Sequence, residues 1–290
     1  MEQVKYIALL VISIAVAGCG QAVRSPETPV GPHFRILTYN VNWGGPGAEQ
    51  AVRAISSADA DIVCLQETHP AWQKLIRARL ARQYTFMAFQ HPPGLRGAGG
   101  MAFLSKFPGE QAAYVPSVTG WFDGWIAKFQ TPAGPVQVNN VHLRPKLSDR
   151  AGLTLSAYFG TGDDRQREVE RYYTQLEPGV PAIVAGDFNE DDKGTAVKWL
   201  RKKGFADALP LFDRKTKTWH WKAGPFNLAD RFDHIMYTRD LHCYSARVLQ
   251  EGSSDHYPVT AVFGLDPEQQ RENEPPRFRQ RNVSEDSPER

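Results

Sequence analysis

Residues 182–192 read AIVAGDFNEDD, in which an apolar run gives way at a glycine to Asp187, Asn189 and three further acids. A short apolar run bounded by turn residues predicts a buried strand. The strand ends on a carboxylate and an amide two residues apart, a spacing that directs both side chains to one face of an extended backbone. The acids at 190–192 are expected at the start of a helix from Lys193, where negative charge favours the helix dipole.

The pattern around this strand predicts an α/β protein rich in strands. Helical spacing occurs at 48–58, 71–84, 163–176 and 193–204, with Asp163 or Asp164 able to cap the third helix. Strand patterns occur at 34–41 and 61–67, in five short pieces between 84 and 143, and at 231–238, 243–250 and 256–265. Because the helices come singly between groups of strands, we expect two sheets packed face to face with helices outside, rather than a barrel or a single doubly wound sheet.

Polar residues of the metal-binding or acid/base type stand at the ends of several other predicted strands. Each alone has an ordinary explanation, as a turn or helix cap or a structural histidine. Strand ends of packed sheets can converge on one edge, so the set together predicts a site. Its members, besides Asp187, are Asn40, Glu67, His142, Asp233, Asp255 and His256.

The chemistry of this set favours a hard cation and a phosphoryl group. Glu67 and Asn40 offer few oxygen ligands and leave positions for water and substrate, which suits Mg²⁺ or Mn²⁺ better than zinc. Asp233 beside His256 would fix the imidazole tautomer and raise its basicity, and Asp187 could position an attacking water. Asn189 and His142 could donate hydrogen bonds to phosphate oxygens.

Seven motifs in this order, TYNV, LQET, GGMAFLSKFP, NNVHL, GDFNE, DRFDHI and SSDHYPV, resemble the endonuclease/exonuclease/phosphatase superfamily over residues 34–264. The resemblance implies a four-layer α/β/β/α sandwich of two mixed sheets with the site at one edge between them. It implies a metal site at Asn40 and Glu67, with Asp255 as a ligand or orienting group. It also implies catalytic roles for the remaining matched residues, with His256 as the general base: His142, Asp187, Asn189, Asp233 and His256.

Different features of the sequence favour different substrates. With a histidine at position 142, the chain resembles the deoxyribonuclease and sphingomyelinase branches of the superfamily. Abasic-site enzymes carry a tyrosine at the corresponding position. The segment RKTKTWHWKAG at 214–224 could stack bases, but we expect a strand whose tryptophans pack on a sheet. The long loop after His142 places Arg144 and Lys146 near a bound phosphate, and we expect both to bind substrate.

Three functions stay open, and we favour the first. It is a phosphodiesterase acting on DNA or RNA, favoured by a net charge of about +4 on residues 19–264. This remainder of the total charge of +2 arises because residues 1–18 are neutral overall and residues 265–290 carry five arginines against seven acids. The second is a hydrolase of phospholipid head groups or small phosphate esters. The third, a lipid-anchored binding protein on an inactive scaffold, conflicts with the complete set of polar residues.

The chain ends predict a bacterial lipoprotein. Residues 1–18 contain Lys5 and a run from Ile7 to Ala17 that is too short to span a bilayer and matches a signal peptide. VAGC at 16–19 resembles a lipobox, so Cys19 would carry the lipid and anchor a monomer in the cell envelope, at the outer membrane facing the periplasm or the cell surface. We expect a tether at 19–33, the folded domain at 34–264 and a disordered polar tail at 265–290. Cys64 and Cys243 could bridge or stay as buried thiols.

Overall fold

The computed structural model describes residues 22–93, 98–146, 161–223 and 225–265. Two six-stranded mixed sheets pack face to face, as predicted. The strands are β1 His33–Asn40, β2 Ile62–Gln66, β3 Phe86–Gln90, β4 Met101–Ser105, β5 Gly109–Val115, β6 Gly124–Thr131, β7 Gly134–His142, β8 Ala182–Asp187, β9 Ala206–Asp207, β10 Trp219–Ala223, β11 Phe226–Asp230, β12 Asp233–Tyr237, β13 Leu241–Val248 and β14 Val259–Leu265. The first sheet has the order β13-β14-β1-β2-β4-β3 and the second the order β5-β6-β7-β8-β12-β9.

Among the described residues, four helices form the two outer layers: α1 Ala48–Ala58, α2 Pro70–Leu80, α3 Gly162–Tyr173 and α4 Thr195–Lys202. The short α5 Leu209–Phe212 packs against the core between the sheets. Aromatic side chains such as Phe103 and Phe129 fill the space between the sheets. A second cluster packs α1 and α2 on the first sheet, and a third packs α3 and α4 on the second. The predicted four-layer α/β sandwich is therefore confirmed.

Two parallel strand pairs direct the chain towards one edge of the sandwich. β1 pairs with β2, with Asn40 opposite Gln66, and β7 pairs with β8, with His142 opposite Asp187. Gly186 makes the second pair possible, because its φ is 154° and a Cβ there would lie 1.8 Å from the Val141 carbonyl oxygen. A side chain at this position is excluded by the backbone of the neighbouring strand.

Local contacts correct some of the predicted helix starts. Thr161 is the N-cap residue of α3 and makes no side-chain capping bond, so neither Asp163 nor Asp164 caps this helix. Asp164 instead forms ion pairs with Arg144 and Arg167. The helix after the acidic stretch begins at Thr195, and buried Glu190 accepts hydrogen bonds from its first-turn amides.

The tryptophans of the segment at 214–224 were expected to pack on a sheet, but the segment does not pack on either main sheet. Its second half forms β10, which pairs with β11 in a separate two-stranded hairpin. The sequence offered little signal for β11, since FNLAD is short and carries no clear alternation. The tryptophans therefore stand beside the site instead of beneath a sheet.

The chain ends fall largely outside the description. The predicted signal peptide, Cys19 and the tail from residue 266 lie outside the described residues. Part of the predicted tether is bound to the domain, because the Arg24 amide donates to the Leu211 carbonyl, and the Glu27 amide donates to the Tyr244 carbonyl. Cys64 and Cys243 are buried free thiols. None of the helices in the described ranges is long and apolar enough to cross a membrane.

Candidate active site

The predicted polar residues meet at one edge between the two sheets. Asn40 ends β1 and Glu67 follows β2 in the first sheet, while His142 ends β7 and Asp187 ends β8 in the second. Asp233 begins β12, which runs antiparallel beside β8 and pairs with Asp187, and Asp255 and His256 lie just before β14.

The buried carboxylate of Asp187 and the half-buried carboxylate of Glu67 share one amide. The Asn40 Nδ2 group donates to Glu67 Oε1 at 3.0 Å and to Asp187 Oδ2 at 3.1 Å. The amide orientation is fixed because Asn40 Oδ1 accepts the Asn42 backbone N–H at 3.0 Å. Asn40 therefore holds the two sheets' carboxylates together, and its role as a metal ligand stays a prediction.

Asp233 orients His256 as the sequence predicts. His256 Nδ1 lies 2.9 Å from Asp233 Oδ2, which leaves Nε2 facing Asp187 Oδ2 at 3.5 Å. Burial opposes the charged imidazole, but Asp233 and Asp187 outweigh it and raise the pKa of His256 to about 10. Burial raises the pKa of Asp187 to about 7, although the charge of His256 works in the opposite direction.

His142 is a neutral donor beside the same carboxylates. Its Nε2 atom lies 3.6 Å from Asp187 Oδ2 and 3.9 Å from Glu67 Oε1. Its ring stacks on Phe122, with centroids 3.7 Å apart. Burial and the charge of His256 lower the pKa of His142 to about 3, so the imidazole is neutral at physiological pH.

Two side chains outside the predicted set of site residues hold Asp255. Asn42 Nδ2 donates to Asp255 Oδ1 at 2.9 Å, and the Trp219 indole donates to Oδ2 at 3.2 Å. Asn42 adopts a left-handed conformation with φ of 54°. In the sequence, the position of Asn42 in a turn is indicated by its residue type, because asparagine tolerates the left-handed conformation and this one lies two residues after Asn40.

Asn189 reaches the site by a route other than strand alternation. β8 ends at Asp187, and Asn189 has a φ of 52°, so the two side chains do not follow the pleat of a strand. Asp187 Oδ1 accepts the Asn189 backbone N–H at 2.8 Å, and Asn189 Nδ2 donates to the Leu143 carbonyl at 2.9 Å. The second amide hydrogen of Asn189 is available to a ligand.

A cleft of about 530 Å³ opens over these groups. Besides Glu67, His142, Asp187, Asn189, Asp255 and His256, the described residues that line it are Ala98, Trp121, Phe122, Pro145, Lys146, Trp219, Leu228, Ala229, Asp230 and Phe232. Arg144 is not among these lining residues; its guanidinium pairs with Asp164 and lies 5.7 Å from the centroid of the Trp121 ring. Its predicted contact with substrate stays a prediction.

In the described part of the chain, two clusters have the spacing of metal ligands. In one, the ligand atoms of Asp187, Asp233 and His256 lie within 4.8 Å of one another, in the predicted site. The other joins Asp192, Asp207 and His234. It is an ion-pair network, because Arg231 pairs with Asp192 and Arg201 with Asp207, and both nitrogens of His234 are hydrogen-bonded.

The family model for the Endonuclease/Exonuclease/phosphatase family matches residues 37–256, the range that contains the whole cluster. The chain belongs to this family. Its reaction type is the one that members of the family share, the hydrolysis of phosphoesters. The search of curated proteins found no match.

Solved structures share the family fold at low sequence identity. The chain is similar to an endonuclease/exonuclease/phosphatase from Beutenbergia cavernae DSM 12333, with a TM-score of 0.61 and 17% identity over 81% of this chain and 72% of that one. It is also similar to D. rerio TDP2 complexed with single strand DNA product (TM-score 0.61, 17% identity, 80% and 99% covered). The human Nocturnin catalytic domain with bound sulfate matches with a TM-score of 0.61 and 18% identity, covering 82% and 97%.

Proposed function

We propose that the chain is a divalent-metal-dependent phosphodiesterase that acts on nucleic acid. One observation carries the proposal: Asn40, His142 and His256 all lie within 3.6 Å of a single buried carboxylate oxygen, Asp187 Oδ2, on the floor of the cleft. An amide donor, a neutral imidazole and an Asp-oriented imidazole around one point fit the needs of a phosphoryl centre and its nucleophile.

The donor chemistry of the site fits a hard cation. Burial raises the pKa values of the Glu67 and Asp187 carboxyl groups, because it disfavours their negative charges, and a bound cation would favour them. Glu67 and Asp255 would hold Mg²⁺ or Mn²⁺ through carboxylate oxygens, and Asn40 would join them through Oδ1, which also accepts the Asn42 N–H. Such an ion supplies charge neutralisation for the carboxylates and the phosphate.

The chain's own residues supply proton transfer and orientation. Asp233 keeps the proton on His256 Nδ1 and leaves Nε2 to take a proton from a water. Asp187, 3.5 Å from Nε2, would orient that water. Compensation of the charge of Asp187 would remove one cause of the high pKa of His256 and so favour the neutral imidazole that can act as a base. His142 and Asn189 would donate to the phosphate oxygens.

The cleft walls support a nucleic-acid substrate with unpaired bases. Trp121, in the loop before β6, and Trp219 line the cleft and are partly exposed, whereas Phe122 and Phe232 are buried and stack on His142 and Trp219. Aromatic faces stack bases without regard to sequence, and each contributes on the order of 1–3 kcal/mol. The similarity to a TDP2 structure that contains a single-strand DNA product supports the same choice.

A phospholipid head group is the second candidate, because an exposed apolar pair lies beside the cleft. Trp221 and Leu228 face each other across the β10–β11 hairpin and are 38% and 41% exposed, and Leu228 also lines the cleft. An exposed apolar pair beside a cleft suits a lipid surface. The proposed lipid anchor at Cys19 would favour such a substrate, and a Cys19→Ser protein that still sediments with membranes would exclude the anchor.

The deciding experiment offers the domain single-stranded and duplex DNA, RNA, sphingomyelin and a glycerophospholipid, each with Mg²⁺ or Mn²⁺. We expect cleavage of single-stranded nucleic acid, and we expect His256→Ala to lose it while retaining the wild-type melting profile. Cleavage of lipid without nucleic acid would reverse the choice between the two candidates. Equal activity of wild type and His256→Ala on every substrate would exclude catalysis by this site.

A further inference from the structure

The loop between β5 and β6 is attached at two points to one face of α3. Glu168 Oε1 accepts hydrogen bonds from Ser117 Oγ, at 3.0 Å, and from Thr119 Oγ1. Tyr172 lies one helical turn further along α3, on the same face, and its hydroxyl donates to the Phe122 carbonyl at 2.5 Å. The first half and the end of this loop are therefore both bound to the helix.

The carboxylate of Glu168 also holds the chain just after β7. Glu168 Oε2 accepts the Arg144 backbone N–H at 2.8 Å, two residues beyond His142. The Glu168 side chain is completely buried, and burial raises the pKa of its carboxyl group although the three hydrogen-bond donors act in the opposite direction. Glu168 is thus a buried bridge between the β5–β6 loop and the segment that follows His142.

The two bridged segments carry two rings that stack on each other. The ring of Phe122, at the end of the loop, lies nearly parallel to that of His142, with centroids 3.7 Å apart and 13° between the planes. A Cβ at Gly124 would lie 2.6 Å from the Tyr172 ring, so the chain here lies directly on α3. The His142 imidazole cannot rotate without losing its contact with Phe122, and its Nε2 atom stays 3.6 Å from Asp187 Oδ2.

We infer that Glu168 is a positioning residue, whose carboxylate ties the β5–β6 loop to the end of β7 and so keeps Phe122 stacked on His142. This role rests on the proposed function, in which His142 donates to a phosphate oxygen. Glu168 is not among the described residues that line the cleft, so it acts through Phe122 and not on the substrate. A displacement of the imidazole by about 1 Å would lower the rate by about 10²-fold.

The first test is independent of catalysis and measures the stacking of the two rings. In metal-free protein with labelled histidines, NMR detects the ring protons of His142, which the ring current of Phe122 shifts upfield, and His142→Gln assigns the signal. Phe122→Leu removes this shift. Glu168→Ala should move the signal towards its position in Phe122→Leu. Glu168→Gln should keep the wild-type position, because a glutamine accepts the Arg144 N–H and donates to the two hydroxyls. A wild-type signal in Glu168→Ala would overturn the inference.

A second variant breaks the same bridge from the loop side. Ser117→Ala combined with Thr119→Val removes two donors at partly exposed positions and leaves the carboxylate bound to the Arg144 N–H. The His142 signal should move in the same direction as in Glu168→Ala. This variant decides the question if Glu168→Ala does not fold, and an unchanged signal would again overturn the inference.

Gln137→Ala is the matched control. Gln137 is buried near the start of β7, and its side chain makes three hydrogen bonds, with the Glu177 N–H and with the carbonyls of Glu177 and Val180. Gln137→Ala should lower stability, as Glu168→Ala does, and leave the His142 signal and kcat unchanged. An equal shift of the His142 signal in Gln137→Ala would show general loosening of the domain and would overturn the inference.

The second test measures kcat and KM on a single-stranded oligonucleotide. Glu168→Ala should lower kcat by about 10-fold to 10²-fold with little change in KM, because the substrate does not contact Glu168. Once Phe122→Leu is present, adding Glu168→Ala should lower kcat no further. Additive losses would overturn the inference and leave the proposed function standing. No cleavage by wild type, with the His142 signal moved in Glu168→Ala, would instead overturn the proposed function and leave the bridge standing.

Discussion

The buried His234–Asp207 pair should make the stability of the domain depend on pH in a defined range. His234 Nδ1 lies 2.9 Å from Asp207 Oδ2, and Nε2 lies 3.0 Å from the Glu190 carbonyl. Both partners are acceptors, so both ring nitrogens carry protons and the imidazole is charged. Burial alone would lower the pKa of His234, but the charge of Asp207 outweighs it and raises the pKa to about 9.

The magnitude follows from the difference between the folded and unfolded states. A rise from 6.5 to about 9 corresponds to roughly 3 kcal/mol, at about 1.4 kcal/mol for each pH unit. Because the folded pKa of His234 lies above the unfolded value, the contribution is fully present below about pH 6.5. It decreases as the pH rises and is lost above about pH 9.

Urea unfolding of wild type and His234→Gln at several values between pH 6 and pH 10 measures this contribution. The difference in unfolding free energy should shrink by roughly 3 kcal/mol across the range, since all other titrating groups are shared. His242→Gln is the matched control, because it removes a partly exposed histidine paired with Glu27, and such surface pairs contribute at most about 1 kcal/mol. A constant difference between wild type and His234→Gln would refute the reasoning.

Three further changes have defined outcomes. Asp233→Asn should lower kcat/KM by about 10²–10⁴-fold with unchanged circular dichroism, because a neutral amide no longer stabilises charge on His256; an unchanged rate would exclude the pair. Gly186→Ala should lower the urea midpoint strongly, because its Cβ would lie 1.8 Å from the Val141 carbonyl oxygen, and a wild-type midpoint would contradict this backbone. Asn139→Leu should stabilise the domain by about 1–2 kcal/mol in thermal melts, because neither amide atom of this buried side chain has a hydrogen-bond partner among the described residues; destabilisation would show that Asn139 is satisfied.

Apolar periodicity was sufficient to predict the layers of the fold. Buried strands such as β8 are continuous apolar runs, and α1 has the bounds that helical spacing predicted. The cluster at the sheet edge was also predictable, because parallel neighbours end at the same edge. Asn40, Glu67, His142 and Asp187 meet there for that reason.

Features set by loops and by tertiary contacts were not predictable in the same way. Asn189 enters the cleft from a left-handed turn and not from the pleat of β8. The sequence predicted that Trp219 packs on a sheet. In the structure, Trp219 belongs to the β10–β11 hairpin and its indole N–H donates to Asp255. The Lys146–Asp230 contact joins residues far apart in sequence, and no local pattern encodes it.

The central claim is that a divalent cation and the Asp187 cluster together hydrolyse a phosphodiester. Its most direct test follows cleavage of a single-stranded oligonucleotide by wild type, Glu67→Gln and Asp187→Asn, first in excess chelator and then after Mg²⁺ or Mn²⁺ is restored. We predict that wild-type cleavage stops in chelator and returns with the ion, and that both variants, folded by circular dichroism, fall at least about 10²-fold below wild type. Cleavage that persists in chelator, or that both variants retain, would contradict the claim.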